Sequence, residues 1–220
     1  GRAKFTVCYN LGYQWGGGVA GGMEMTNICL KDNFGIEVDY NVEISFDSFI
    51  KMIDYIDGID IELTQAEADY LNKDTLYVKR TIEPGIQRLQ GMEALSYARM
   101  RKAAGDSESD IKRTARQRKV VEALLEKFRY MSLSKLNNWV DILMPMVTTT
   151  MTPGDVTKLA AKILPMLPEM KMSGTTVPME GWGDMVDVDK DGQLDSVMRF
   201  DTAKEKKLIR AITEAEVSTD

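Results

Sequence analysis

The segment Gly91-Met92-Glu93-Ala94-Leu95-Ser96-Tyr97-Ala98-Arg99-Met100-Arg101, followed by Asp110-Ile111-Lys112-Arg113-Thr114-Ala115-Arg116-Gln117-Arg118, decides how the rest of the 220-residue chain is read. Leu89, Met92 and Leu95 recur at helical spacing and predict a helix over 89–97. Arg99 and Arg101 then stand two apart, a spacing that turns both side chains to one side of an extended chain. A polar loop over 104–109 leads to a stronger helix, expected over 110–128. On that helix, at about 100° per residue, Val120 and Leu124 fall within about 20° of Arg113, Gln117 within about 40°, and Arg116 about 60° to the other side. Val121 and Phe128 complete the apolar stripe, while Lys112, Lys119, Glu122 and Glu126 face away. The core-facing stripe therefore turns cationic at its N-terminal end. Arginine there is costly unless it meets an anion or lines a cleft. Two readings stand side by side: a buried Arg–carboxylate pair, and a phosphate or carboxylate site strengthened by the helix N-terminal amides.

Charge and composition narrow the chemistry. Residues 99–119 carry eight Lys and Arg against three Asp and Glu, a local +5 within a chain of net charge −6. One basic island on an acidic chain suggests a local anion site rather than general nucleic-acid binding. With no histidine, a Ser-His-Asp or Cys-His catalytic arrangement is excluded, and so is a histidine-ligated zinc. Two cysteines are too few for a four-thiolate zinc site. Chemistry must rest on carboxylates, arginines, lysines, backbone dipoles or an oxygen-ligated metal. No apolar run is long enough to span a bilayer, and the first residues have no signal-like apolar stretch.

Outward from the signature, helices and strands alternate. A glycine-rich start (Gly12, Gly16, Gly17, Gly18, Gly21, Gly22) lacks the Lys-Ser/Thr of a phosphate loop and reads as a flexible or tight turn before a helix over 23–34. Strands are expected over 36–44, 59–63, 76–79, 175–179 and 195–200. Further helices are expected over 46–56, 134–147, 153–164 and 202–215, with Asp57-Gly58 as a turn and Thr152-Pro153 as a helix start. The class is α/β (α+β), and the absence of a convincing linker favours a single domain over 1–220, with its core signature at 36–128 and C-terminal helices and hairpin over 129–220.

The quoted segments resemble the signature of the LytR-CpsA-Psr family, G-x-x-A-L-x-Y-x-R-x-R followed by D-x-x-R-x-x-R-Q. Upstream, Tyr40-Asn41-Val42 through Phe49, Ile53-Asp54 and Asp57-Gly58-Ile59-Asp60 resemble the family's strand–helix–strand segment ending in L-G-G-V-D, with Asp57 in place of the first glycine. The resemblance implies a mixed central β-sheet flanked by helices, with a lipid tail buried between them. It implies a phosphotransferase that attaches an anionic glycopolymer, of teichoic acid or capsule type, from a polyprenyl-pyrophosphate carrier to peptidoglycan. The expected place is the outer face of the cytoplasmic membrane of a Gram-positive bacterium, with an anchor N-terminal to this chain. By the resemblance Arg99 and Arg101 contact the pyrophosphate, Arg113 and Gln117 face the same site, Arg116 joins them in a less defined role, and Asp110 orients an arginine or assists the incoming hydroxyl. Magnesium is implied too. Its ligands are expected in a P-R-D segment and an upstream aspartate that this chain does not show, so the chain is expected to be N-terminally incomplete. On that ground a non-catalytic polyprenyl-phosphate-binding or regulatory module of the cell envelope is the alternative function.

Two further features stay open in the sequence. Asp187, Asp189, Asp191 and Asp195 resemble a D-x-D-x-D-G calcium loop, but Met198 stands where the bidentate Glu belongs, and a polar hairpin turning at Asp191-Gly192 explains the segment as well. Cys8 and Cys29 form a disulfide if the protein is extracellular.

Overall fold

The computed structural model describes residues 7–101, 110–132, 135, 138, 141–142, 144–170, 174, 177, 183–190 and 193–217. The chain divides into two compact units, residues 42–174 and the pair of segments 1–41 and 175–220.

The central unit begins with β1 (Val42–Ile44), which pairs antiparallel with β4 (Val147–Thr149). Helix α3 (Phe46–Tyr55) starts where Ser45 accepts the Ser48 amide at 3.1 Å, a side-chain cap on an otherwise orphaned donor. Its face buries Ile53, and the Asp57-Gly58 turn reverses the chain into β2 (Ile59–Leu63). That strand alternates buried Ile59, Ile61 and Leu63 with exposed Asp60 and Glu62, so one side meets the core. It pairs antiparallel with β3 (Gly85–Leu89), Ile59 opposite Leu89 and Leu63 opposite Gly85. Between them α4 (Gln65–Lys73) opens on a capping box: the Glu67 amide donates to Thr64 Oγ1, and the Thr64 amide donates to Glu67 Oε2 at 3.0 Å. Helix α5 (Gly91–Arg99) then packs beside α3, the Gly91 amide donating to Asp54 Oδ1 at 2.7 Å. Helix α6 (Asp110–Arg129) packs on α5 and β2. Ile53, Ile59, Leu71, Ile82, Leu89, Tyr97, Met100 and Val120 form the core these elements share. Further along, α7 (Pro153–Ile163) starts at Thr152 as expected, with Thr152 Oγ1 accepting the Asp155 amide at 3.2 Å.

The other unit is built on a helical hairpin, α1 (Val7–Gly16) and α2 (Gly18–Phe34), tied by a Cys8–Cys29 disulfide. Only Gly17 and Gly18 form the turn, at φ 109 and 70; Gly12 and Gly21 sit inside the helices where the two backbones touch. The expected glycine loop is thus a close helix–helix contact, because glycine lets backbones approach where a Cβ would clash. Strands β5 (Gly183–Lys190) and β6 (Gln193–Phe200) pair antiparallel, and α8 (Thr202–Val217) packs against α2, with Phe34 stacked on Phe200 at 6.0 Å.

Helices and strands are mixed as expected, and the described strands form three antiparallel pairs. Residues 76–79 are not a strand. The Tyr77 and Val78 amides both donate to the Asp74 carbonyl, and Asn72 takes both backbone groups of Ile82, so the polar backbone there is satisfied locally. The 36–44 strand is shortened to β1; within the expected 134–147 helix the described residues 135, 138, 141 and 142 are helical, and a 3₁₀ turn, Met144–Met146, then runs into β4. The 104–109 loop and, apart from Val177, the 175–179 strand lie outside the described residues.

Candidate active site

The site grows from the end of α5. Met100 leaves the helix at φ −55, ψ 122, an extended conformation, and its side chain is fully buried. Arg99 and Arg101 on either side of it are exposed. The apolar residue between them takes the core position; Arg99 still belongs to α5, so the extended backbone begins only at Met100. Arg99 has an aromatic seat. Its guanidinium carbon lies 4.9 Å from the centre of the Phe46 ring and 6.0 Å from that of Tyr77, and Nη1 donates to Tyr77 Oη at 3.4 Å. Cation–π contact holds a charged head without neutralising it, which leaves the charge available to an anion.

Helix α6 supplies the second side. The structure rotates its buried stripe relative to the helical-wheel expectation: Arg116 and Val120 are buried, Arg113 is half-buried, and Gln117 and Val121 are exposed. Arg116 Nε donates to Glu67 Oε1 at 3.0 Å, and its Nη1 donates to the Met100 carbonyl at 3.3 Å. The buried Arg–carboxylate pair is therefore present, and it belongs to Arg116. Tyr97 Oη donates to the same Glu67 oxygen at 3.4 Å. Burial alone would raise the Glu67 carboxyl; the Thr64 amide and the Arg116 guanidinium outweigh it and hold that carboxyl below the ordinary glutamate range. The Tyr97 phenol is pushed up, first by burial and then by the Glu67 charge, so it stays a neutral donor. Asp110 opens α6, and its side chain lies outside what is described.

Among the described residues no group of three or more acidic or thiol ligands converges to hold a metal. The calcium-like segment is strand on both sides of residues 191–192: Lys190 pairs with Gln193, Asp189 with Leu194 and Val188 with Asp195. Asp187 and Asp189 lie in β5 and Asp195 in β6, and Asp191 lies outside the described residues. An open cavity of about 810 Å³, lined among others by Tyr55, Asp57, Asp60, Lys127 and Tyr130, sits at the C-terminal half of α6. Lys127 is fourteen residues past Arg113, about 21 Å along the helix axis, and none of Arg99, Arg101, Arg113 and Arg116 lines this cavity.

Two exposed arginines thus stand at the end of α5 beside a buried Glu–Arg–Tyr network, on a scaffold of mixed helices and strands. The chain belongs to the LytR_cpsA_psr family, whose model matches residues 1–207. It is similar to polyisoprenyl-teichoic acid–peptidoglycan teichoic acid transferase TagT of Bacillus subtilis (strain 168), 32% identical over 123 residues, 56% of this chain and 36% of that one. It is also similar to the transferase TagU of Bacillus licheniformis, 31% identical over 137 residues, 62% of this chain and 42% of that one. The matches thus span 36% and 42% of those relatives. Among solved structures, TagT bound to LIIa-WTA superposes with a TM-score of 0.65 at 20% identity, covering 96% of this chain and 72% of that one. Protein gbs0355 from Streptococcus agalactiae superposes at 0.70 with 22% identity, covering 96% and 66%. At these identities the structural likeness establishes the fold.

Sequence reasoning missed Phe46, Tyr77 and Glu67 as parts of this neighbourhood. The sequence pattern places Phe46 in a helix and Tyr77 in a strand, and neither placement points to Arg99. The one sequence signal for Glu67 is its place three residues after Thr64, which marks a helix cap and says nothing of its second role.

Proposed function

We propose that the protein transfers an anionic glycopolymer, of teichoic acid or capsule type, from a polyprenyl-pyrophosphate carrier to a peptidoglycan hydroxyl. The observation that carries this is the exposed Arg99 and Arg101 pair flanking buried Met100, with Arg99 held on an aromatic seat. The hydroxyl oxygen attacks the phosphorus that bears the glycan and forms the new phosphodiester bond. The bond from that phosphorus to the bridging oxygen breaks, its electron pair leaves with polyprenyl phosphate, and the hydroxyl proton passes to a base. Such a reaction asks mainly for alignment and charge neutralisation, and planar guanidinium forks suit both. Arg99 and Arg101 bind the pyrophosphate oxygens, Arg113 and Gln117 on α6 complete the cradle, and Asp110 orients an arginine or the incoming hydroxyl. The magnesium implied by the family resemblance would draw its carboxylates from beyond the described residues.

Work at the outer face of a Gram-positive cytoplasmic membrane agrees with the Cys8–Cys29 disulfide, since such bonds persist in oxidising compartments. Among the described residues no helix is long and apolar enough to cross a membrane. The test is transfer of a labelled glycan from a polyprenyl-pyrophosphate donor to peptidoglycan. Replacing Arg99 or Arg101 with Ala is expected to lower the rate at least ~100-fold, the scale on which loss of one charge-stabilising donor acts. Wild-type rates in both variants would remove the assignment. Donor binding without transfer in the unaltered protein would favour the non-catalytic lipid-phosphate-binding module instead.

A further inference from the structure

Arg116 occupies an unusual position for an arginine of a basic helix. It is 6% exposed, beside Glu67 at 6% and Tyr97 at 0%. A phosphate on a lipid carrier reaches a solvent-facing guanidinium, not one closed in on all sides. Two of its nitrogens have protein acceptors, Nε on Glu67 and Nη1 on the Met100 carbonyl. The second contact is the informative one, because Met100 is the residue between Arg99 and Arg101. The other polar group of Met100 is held as well, its amide donating to the Tyr97 carbonyl at 3.2 Å. With the side chain buried and both backbone groups fixed, the direction in which the chain leaves α5 is set.

We infer that Arg116 is a positioning residue. Anchored by Glu67, it clamps the Met100 carbonyl and thereby aims Arg99 and Arg101, and it does not itself bind phosphate. This rests on the proposed phosphate role of Arg99 and Arg101. The anchor is itself fixed twice over: the capping box ties Glu67 to Thr64, and Tyr97 donates to it. The clamp therefore joins the start of α4, the end of α5 and the middle of α6 at one buried point. Lysine keeps the charge but lacks the planar fork that reaches a carboxylate and a carbonyl together.

The test is a double-variant cycle in the intact protein, with farnesyl pyrophosphate as the probe and binding followed by phosphorus NMR titration. Arg116→Lys and Glu67→Gln are each expected to weaken binding by ~10- to 100-fold, the loss typical when a reacting or binding group is misplaced by about an ångström. In an Arg99→Ala, Arg101→Ala background the same substitutions are expected to have no further effect, since coupled residues are not additive. Two results would overturn the inference: losses at Arg116 that add to those at Arg99 and Arg101, which mark a direct phosphate ligand, or a lower melting temperature with unchanged affinity, which marks a stability role alone. Should Arg116→Lys fail to fold, Glu67→Gln carries the cycle. Wild-type affinity in the Arg99→Ala, Arg101→Ala protein would instead refute the phosphate reading itself, so the two failures are distinguishable.

Discussion

The Arg99 guanidinium is exposed, and its position is set by what lies under it. Phe46 is 58% exposed, so its ring contributes little to the core. Its contact with Arg99 at 4.9 Å is therefore separable from folding. Phe46→Ala is expected to weaken pyrophosphate binding about 2- to 5-fold, matching the ~0.5–1 kcal/mol of an exposed cation–π contact, with an unchanged melting temperature. Phe46→Trp should retain the affinity; a calorimetric titration that finds Ala and Trp alike would remove the ring from the site. The arginine pair was legible in the sequence because its two-residue spacing is local. What anchors it was not. Glu67 lies 49 positions from Arg116, and the wheel placed Arg113 on the buried stripe where the fold puts Arg116. A shift of 60° in the phase of a helix is set by its neighbours, which periodicity alone does not contain.

Turns and close contacts decide the elements. At the α3–β2 turn both Asp57 and Gly58 have positive φ, 61 and 75. A Cβ on Gly58 would also lie 2.8 Å from the Leu89 carbonyl oxygen, on the strand opposite. Gly58→Ala thus combines left-handed strain with a backbone clash and is expected to cost about 2–4 kcal/mol, read from urea unfolding. A loss under ~0.5 kcal/mol would mean the turn relaxes freely. Asp57 and Gly58 were readable as a turn from their residue types. The helical hairpin α1–α2 was not, because its glycines act through a contact between two helices rather than through the local chain. Its staple has a measurable share of stability. Closing a loop between residues 21 apart stabilises by ~3 kcal/mol through the unfolded chain, so reduction of Cys8–Cys29 is expected to lower stability by about that amount. Equal stability with and without reductant, measured by chemical denaturation, would show that the helices hold without it.

Acid response ties the buried network to the stability of the molecule. Net charge is −6, and most carboxylates among the described residues are exposed. Glu67 differs, being buried and held below the ordinary value of 4.5 by the Thr64 amide and Arg116 against the opposing effect of burial. A carboxyl whose folded pKa is lowered binds fewer protons folded than unfolded. Its stabilisation is complete above the unfolded value and is lost as pH falls through the folded one. Stability of the wild-type protein should therefore drop as pH falls below about 4.5, when the Glu67–Arg116 pair is broken by protonation. Glu67→Gln removes that titration: the variant should be less stable at pH 7, where buried Arg116 loses the Glu67 charge, and show a flatter decline below pH 4.5. Unfolding free energies from pH 7 down to about 3 give both slopes. Parallel slopes would place the acid sensitivity elsewhere and leave the pair a contact without a pH signature.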